Sequence, residues 1–271
     1  MELPAELRVL IGLGLTLLLV MLRLEAEPFG AAEYDEPVRG HRRSVLRRLS
    51  WYVLGVAGVA ALLIVHPDAG IDLRLTVGDP DRRLGGIVLG LLLGSGGVAL
   101  AVAVAFLRYR RIRLPDVAAY PGGMVNEILT AFIDEATFRG ALLGYLLWIG
   151  TPLNLAILAQ AFAYTLATRL GAPGRDRSMF LLTLVIGLVG GFVTVLTGGI
   201  GASFLGHAIT RVAIFLATGH AGQLAPRGTE PEEVERRRRA PDGWRAVERT
   251  HREVPHRDAP HRDATHRDVV R

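Results

Sequence analysis

The sequence contains no cysteine and no lysine. Without cysteine there is no disulfide, no thiolate nucleophile and no Cys-ligated zinc, and the redox compartment stays open. All 31 basic residues are arginines, set against 26 acids for a formal net charge of +5. GC-rich codon usage accounts for arginine over lysine; nothing in membrane physics requires it. Aromatic residues are also scarce, at 7%. The excess positive charge does not collect into one face, as it would on a nucleic-acid binder. The arginines instead separate apolar runs, which suits membrane orientation, and no nucleic-acid partner is expected.

Half of the 271 residues are hydrophobic, although the last fifty are strongly polar, so the apolar residues are concentrated upstream. Runs lie at roughly 9–22, 51–66, 85–107, 124–148, 153–168, 178–197 and 203–219. A helix needs about 20 apolar residues to cross a ~30 Å hydrocarbon core, and about 17 can suffice. The expected fold class is therefore all-α: a polytopic transmembrane helical bundle of about seven helices. The first run has Glu2 and Glu6 where a signal peptide would be basic, and Leu24-Glu25-Ala26-Glu27-Pro28 is no small-residue cleavage site, so it reads as a membrane anchor.

Arginines cluster after the first run (Arg39, Arg42, Arg43, Arg47, Arg48), the third (Arg108, Arg110, Arg111, Arg113) and the fifth (Arg169, Arg175, Arg177). The segment after the second run balances arginines with Asp68, Asp72, Asp79 and Asp81, and the linkers 149–152 and 198–202 carry no charge. Arginine-rich loops stay cytoplasmic, which places the N-terminus outside and the C-terminus inside. Gly86, Gly90 and Gly94, and Gly187 and Gly191, recur every four residues, a spacing that lets helix backbones approach closely.

Two regions follow: an integral membrane domain over 1–220 and a tail over 221–271. The tail holds twelve arginines, ten acids and a pentad repeat carrying His251, His256, His261 and His266. It has too few apolar residues to bury a core and is expected to be disordered. The repeat histidines offer loose metal contacts, and Arg236 to Arg239 a weak contact with lipid headgroups.

An ionisable residue inside the bilayer is expensive and is by default a functional hypothesis. The fourth run holds Glu127, Asp134, Glu135 and Arg139; the seventh holds His207 and Arg211. Glu135 and Arg139 are four apart on one helix face, as are His207 and Arg211. Asp134 is about 100° round from Glu135 and about 20° from Glu127, so the helix presents two adjacent acidic edges. Counted from the cytoplasmic helix ends, Asp134 lies roughly 15 Å deep, His207 roughly 18 Å and Arg211 about 12 Å. The two helices are expected to pack together with these side chains inward. A buried charge network that fixes helix register fits the same spacing equally well. On the fifth run Gln160, Tyr164 and Thr168 recur every four residues and put an amide, a phenol and a hydroxyl on one face.

Ile133-Asp134-Glu135-Ala136-Thr137-Phe138-Arg139-Gly140 resembles the Glu-Glu-x-x-Phe-Arg-Gly signature of the CAAX prenyl endopeptidase-like (CPBP) family of intramembrane proteases. Gly190 to Ile200, followed by Ser203-Phe204-Leu205-Gly206-His207-Ala208, resembles the family's last motif. The likeness covers roughly 120–216. It implies an intramembrane endopeptidase in which an acid of the first motif activates water and a last-motif histidine stabilises the oxyanion. By that resemblance Asp134 and Glu135 take the two acidic positions, Arg139 the arginine and His207 the histidine. Gln160, Tyr164, Thr168 and Arg211 are possible site-lining residues. Asp134 is one methylene shorter than the family's glutamate, Thr168 stands where the second motif has histidine, and Arg211 where the last motif has asparagine. The expected enzyme is consequently slow or inactive beside members that keep every motif. The cofactor stays open: a divalent metal has at most Asp134, Glu135 and His207 as conventional ligands.

The expected substrate is a membrane-embedded or lipid-anchored protein or peptide, met in the bilayer, and the family points to a bacterial plasma membrane. The substrate itself and the oligomeric state are not readable. A catalytically inactive member of the family, acting as a binding, immunity or secretion-related scaffold, is the alternative. A small transporter with Glu135 and Arg139 on its path is a third reading, although the sequence shows none of the internal repeats of many transporters.

Overall fold

The computed structural model describes residues 4–26, 28–29, 42–109, 112–115, 121–170, 177–218 and 244–247. It begins with α1 (Ala5–Leu24), α2 (Arg42–Val65) and a one-turn α3 (Ala69–Asp72). A 3₁₀ turn at Pro80–Arg82 leads into α4 (Arg83–Tyr109), which precedes β1 (Ile112–Pro115). There follow α5 (Pro121–Asp134), a π-helical segment (Glu135–Leu142) and α6 (Leu143–Trp148), end to end. Last come α7 (Leu153–Leu170), α8 (Arg177–Thr197), α9 (Gly201–Thr218) and β2 (Trp244–Val247).

The seven apolar runs thus become seven helical passages, the fourth made of α5, the π segment and α6. Among the described residues, four helices are long and apolar enough to cross a bilayer: Ala5–Leu24, Leu46–Val65, Pro80–Leu107 and Phe180–Thr197. Leu153–Thr168 and Gly201–Ala217 are apolar but shorter. The fourth passage misses that standard because its charges interrupt the run. The burial pattern is inverted relative to a protein in water: Leu10, Leu18, Ile64, Leu92 and Leu181 face outward, while Arg23, Glu127, Asp134, Glu135 and Arg139 are buried. Hydrocarbon solvates the first set and cannot solvate the second. The chain is an integral membrane protein with a helical bundle fold.

β1 and β2 are the only extended pieces among the described residues. They pair antiparallel, Ile112 opposite Val247 and Pro115 opposite Trp244. Of the tail expected to be disordered, only Trp244–Val247 is described, and it forms this strand, in a stretch with the β-prone residues Trp244 and Val247. The remainder, with Arg236 to Arg239 and the four repeat histidines, lies outside the described residues.

Glycines set the tightest helix contact, α4 on α9. A Cβ at Gly90 would stand 2.7 Å from the Ala202 carbonyl oxygen, and one at Gly94 2.8 Å from Ile209. Gly187 rests on Ala161 in the same way, joining α8 to α7. Helix ends are tied in two sets. At one end Arg8 Nε donates to the Val65 carbonyl (2.8 Å), the Tyr145 hydroxyl to the Val9 carbonyl (3.2 Å), and Asp79 N–H to the Thr197 carbonyl (2.8 Å). At the other, Trp51 Nε1 donates to the Leu22 carbonyl (2.8 Å), and Gly123 lies against Phe215.

The segment between α2 and α4, where arginines and aspartates balance, folds back into the bundle. Leu73 is fully buried, Ile200 N–H donates to the Arg74 carbonyl (3.2 Å), and Gly140 and Gly144 make room for Leu75 and Leu73. The α8–α9 turn bends at Gly198, whose φ of +77° suits glycine, and a Cβ there would collide with Asp79.

Candidate functional site

All the singled-out acids of the fourth passage are buried, but they point to different partners. Glu135 opens the π segment. Its Oε1 lies 2.7 Å from His207 Nδ1 and 3.3 Å from Arg139 Nη1. The other face of the imidazole meets α7, where the Tyr164 hydroxyl is 3.2 Å from His207 Nε2. The Arg139 guanidinium lies over the Tyr164 ring at 3.9 Å, a cation–π contact in a dry environment. Gly190 on α8 leaves space for that guanidinium: a Cβ there would come within 3.3 Å of Arg139 Nε. Glu135 Oε2 makes no hydrogen bond among the described residues.

Asp134 faces away from this group. Its Oδ1 is 2.7 Å from Arg23 Nε at the end of α1, and its Oδ2 is 3.7 Å from Arg211 Nη1. Arg211 Nη2 reaches Glu127 at 2.9 Å, and Asn126 Nδ2 donates to the same carboxylate at 2.9 Å. The Tyr52 hydroxyl on α2 donates to Asn126 Oδ1 and adjoins Thr130. Glu127 and Asp134 are seven residues apart, two turns of α5, so one guanidinium spans both. The separation of neighbours Asp134 and Glu135 coincides with the passage from α- to π-helix, a rare geometry that recurs at functional sites.

His207 and Arg211, one turn apart on α9, therefore serve two clusters: Glu135, Arg139, His207 and Tyr164 in one, and Glu127, Asp134, Arg23 and Arg211 in the other. Three carboxylates face three guanidiniums, which neutralise one another as buried charges must. Arg23 was missed in the sequence because an arginine at the end of an apolar run reads as a flanking charge. Its available signal was its place inside α1, between Leu22 and Leu24.

The polar face of α7 divides. Only Tyr164 reaches the first cluster; Gln160 donates to the carbonyls of Gly187 (2.8 Å) and Ile157 (3.1 Å) and so ties α7 to α8. Thr168 is buried and its hydroxyl makes no hydrogen bond among the described residues. Thr194 and Ser203 share a hydrogen bond of 2.9 Å between α8 and α9.

A resident divalent metal does not fit these donors. No group of three His, Cys, Asp or Glu side chains able to hold an ion occurs among the described residues. Asp134 is turned to two arginines, which leaves Glu135 and His207, where a catalytic zinc takes three protein ligands.

An apolar helical bundle with a charged interior defines a polytopic membrane protein. Within it, residues 116–213 match the family of type II CAAX prenyl endopeptidase Rce1-like proteins. The matched segment contains every residue of the two clusters except Arg23, which α1 contributes. Comparison with curated proteins and with solved structures returned no match.

Proposed function

We propose that the protein is an intramembrane endopeptidase of the CAAX prenyl protease type, hydrolysing a peptide bond of a membrane-embedded or lipid-anchored substrate with Glu135 as the general base. The observation that carries this reading is the Glu135–His207 contact of 2.7 Å inside the family-matching segment, with no hydrogen bond to the second carboxylate oxygen among the described residues.

Glu135 Oε2 takes a proton from a water, and the hydroxide attacks the peptide carbonyl carbon. The C–N bond then breaks as the proton passes to the departing amine. General-base catalysis of this kind contributes about 10²- to 10⁴-fold. Arg139 supplies positive charge beside the carboxylate, with Nε and Nη2 outside any hydrogen bond among the described residues. A donor aimed at the developing oxyanion is worth roughly 3–4 kcal/mol. Thr168, in place of a histidine, cannot accept a proton near neutral pH, so turnover is slow. Glu135 and His207 are 1% and 3% exposed, so substrate reaches them only when helices separate.

A second reading is favoured by Asp134, held between Arg23 and Arg211: a family member that binds a membrane partner without cleaving it. The test is cleavage of lipidated and transmembrane peptides in liposomes. Under the first reading the parent cleaves and Glu135→Gln loses at least about 100-fold. Binding without cleavage supports the scaffold, and cleavage that survives Glu135→Gln removes Glu135 from the mechanism.

A further inference from the structure

Tyr164 is buried on α7 and gripped on several sides. The Arg139 guanidinium covers its ring at 3.9 Å, Phe138 meets it edge-on at 5.4 Å between centroids, and its hydroxyl is 3.2 Å from His207 Nε2. Three guanidiniums already balance three carboxylates in this core, so the imidazole is neutral, and then one hydrogen-bonding pattern satisfies this line. An ionised carboxylate accepts and cannot donate, so the proton between Glu135 and His207 belongs to Nδ1. A neutral imidazole carries one N–H, so Nε2 bears the lone pair, and the phenol is the donor that reaches it.

We propose that Tyr164 is a positioning residue of the site, donating to His207 Nε2 so that Nδ1–H is held on Glu135 Oε1 and Oε2 is left as the base. This rests on the peptidase reading and decides a point that reading leaves open. A neutral imidazole can steady Glu135 through Nδ1–H, or donate from Nε2 to an oxyanion, but not both. Tyr164 selects the first, and the oxyanion falls to Arg139. Without the phenol, Nε2 is a buried acceptor with no partner, which is costly and lets the ring turn. The hydroxyl one turn further along α7, on Thr168, makes no hydrogen bond among the described residues and so is no substitute donor to the line.

The test uses the full chain in lipid nanodiscs, labelled with ¹⁵N-histidine, with His207→Gln identifying the resonances of residue 207. The parent is expected to show Nδ1 protonated and Nε2 as a hydrogen-bonded acceptor. Tyr164→Phe should move Nε2 towards the free-ring position and leave Nδ1 in place. A protonated Nε2 in the parent, or identical spectra for parent and Tyr164→Phe, overturns the proposal, and the parent measurement stands even if the variant misfolds. In cleavage, Tyr164→Phe should lower kcat about tenfold, the lower end of the effect of an orienting partner, with KM within about twofold. Full kcat in Tyr164→Phe beside an inactive Glu135→Gln overturns the role of Tyr164 and leaves the peptidase standing. Cleavage that survives Glu135→Gln overturns the peptidase reading, and the resonances then judge the Tyr164–His207 contact alone.

Discussion

Replacing Arg23 by leucine removes one of three guanidiniums that balance three buried carboxylates. Its Nε is 2.7 Å from Asp134 Oδ1, with the two side chains 1% and 0% exposed, so no solvent takes over when it is lost. Arg211, at 3.7 Å from the other oxygen, already serves Glu127 at 2.9 Å. Breaking a buried pair by removing one partner costs about 3–5 kcal/mol, because the remaining charge stays buried and uncompensated. For a domain of this size each kcal/mol lowers Tm by about 2–4 °C, so Arg23→Leu should melt roughly 6–20 °C below the parent. Asp134→Leu alone should lose a comparable amount. The double variant, which restores neutrality, should recover most of it, and a double-mutant cycle should give a coupling above about 2 kcal/mol. Thermal unfolding in detergent, followed by tryptophan fluorescence, measures all three. A single variant within about 1 kcal/mol of the parent, or a double variant whose losses simply add, refutes the claim that this pair anchors α1 to the core.

The helix contact between α4 and α9 predicts opposite outcomes for two glycines on one helix. Gly90→Leu meets the Ala202 backbone and should lose about 1–3 kcal/mol, whereas Gly96→Leu, with nothing within 4 Å of its Cβ, should melt like the parent; equal effects would remove the packing argument. The arginine distribution predicts that Asp81→Cys, in a chain with no native cysteine, is labelled by an impermeant thiol reagent from outside, and that a reporter at the C-terminus reads as cytoplasmic; the same side for both contradicts the orientation. His66 lies just beyond the α2 span, edge-on to Tyr145 at 5.5 Å, and burial holds it below the usual histidine value against the opposing pull of Asp72 and Asp68. The folded state therefore binds this proton less readily than the unfolded one. Its stability is whole at neutral pH and falls as the pH drops below about 6.5. His66→Phe should flatten that part of the Tm profile, and a parent–variant difference independent of pH would show that His66 does not titrate in this way.

The helical class, the membrane setting and the identities of most charged core residues were legible in the sequence, because each depends on local quantities. Apolar run length sets whether a helix can span, and a charge interrupting such a run stands out by its cost. Seven positions apart on a helix is two turns in any surroundings, so Glu127 and Asp134 share a face whatever packs against them. The choice of partners was not legible. An ion pair forms with whichever helix comes within reach, and only the assembled bundle brings α1 close enough for Arg23 to take Asp134 while α9 brings His207 to Glu135. The π-helical segment at Glu135–Leu142 is likewise absent from any reading that assumes 3.6 residues per turn, since its i→i+5 pattern leaves no mark on the spacing of Asp134, Glu135 and Arg139. Gln160, Tyr164 and Thr168 form one stripe on paper, yet α8 takes the first and α9 the second. The segment after α2 shows only balanced charges in the sequence, and Gly140, Gly144 and Gly198 give it a seat inside the bundle. Spacing along a chain determines which side chains share a face; distance between helices, a property of the whole fold, determines what that face meets.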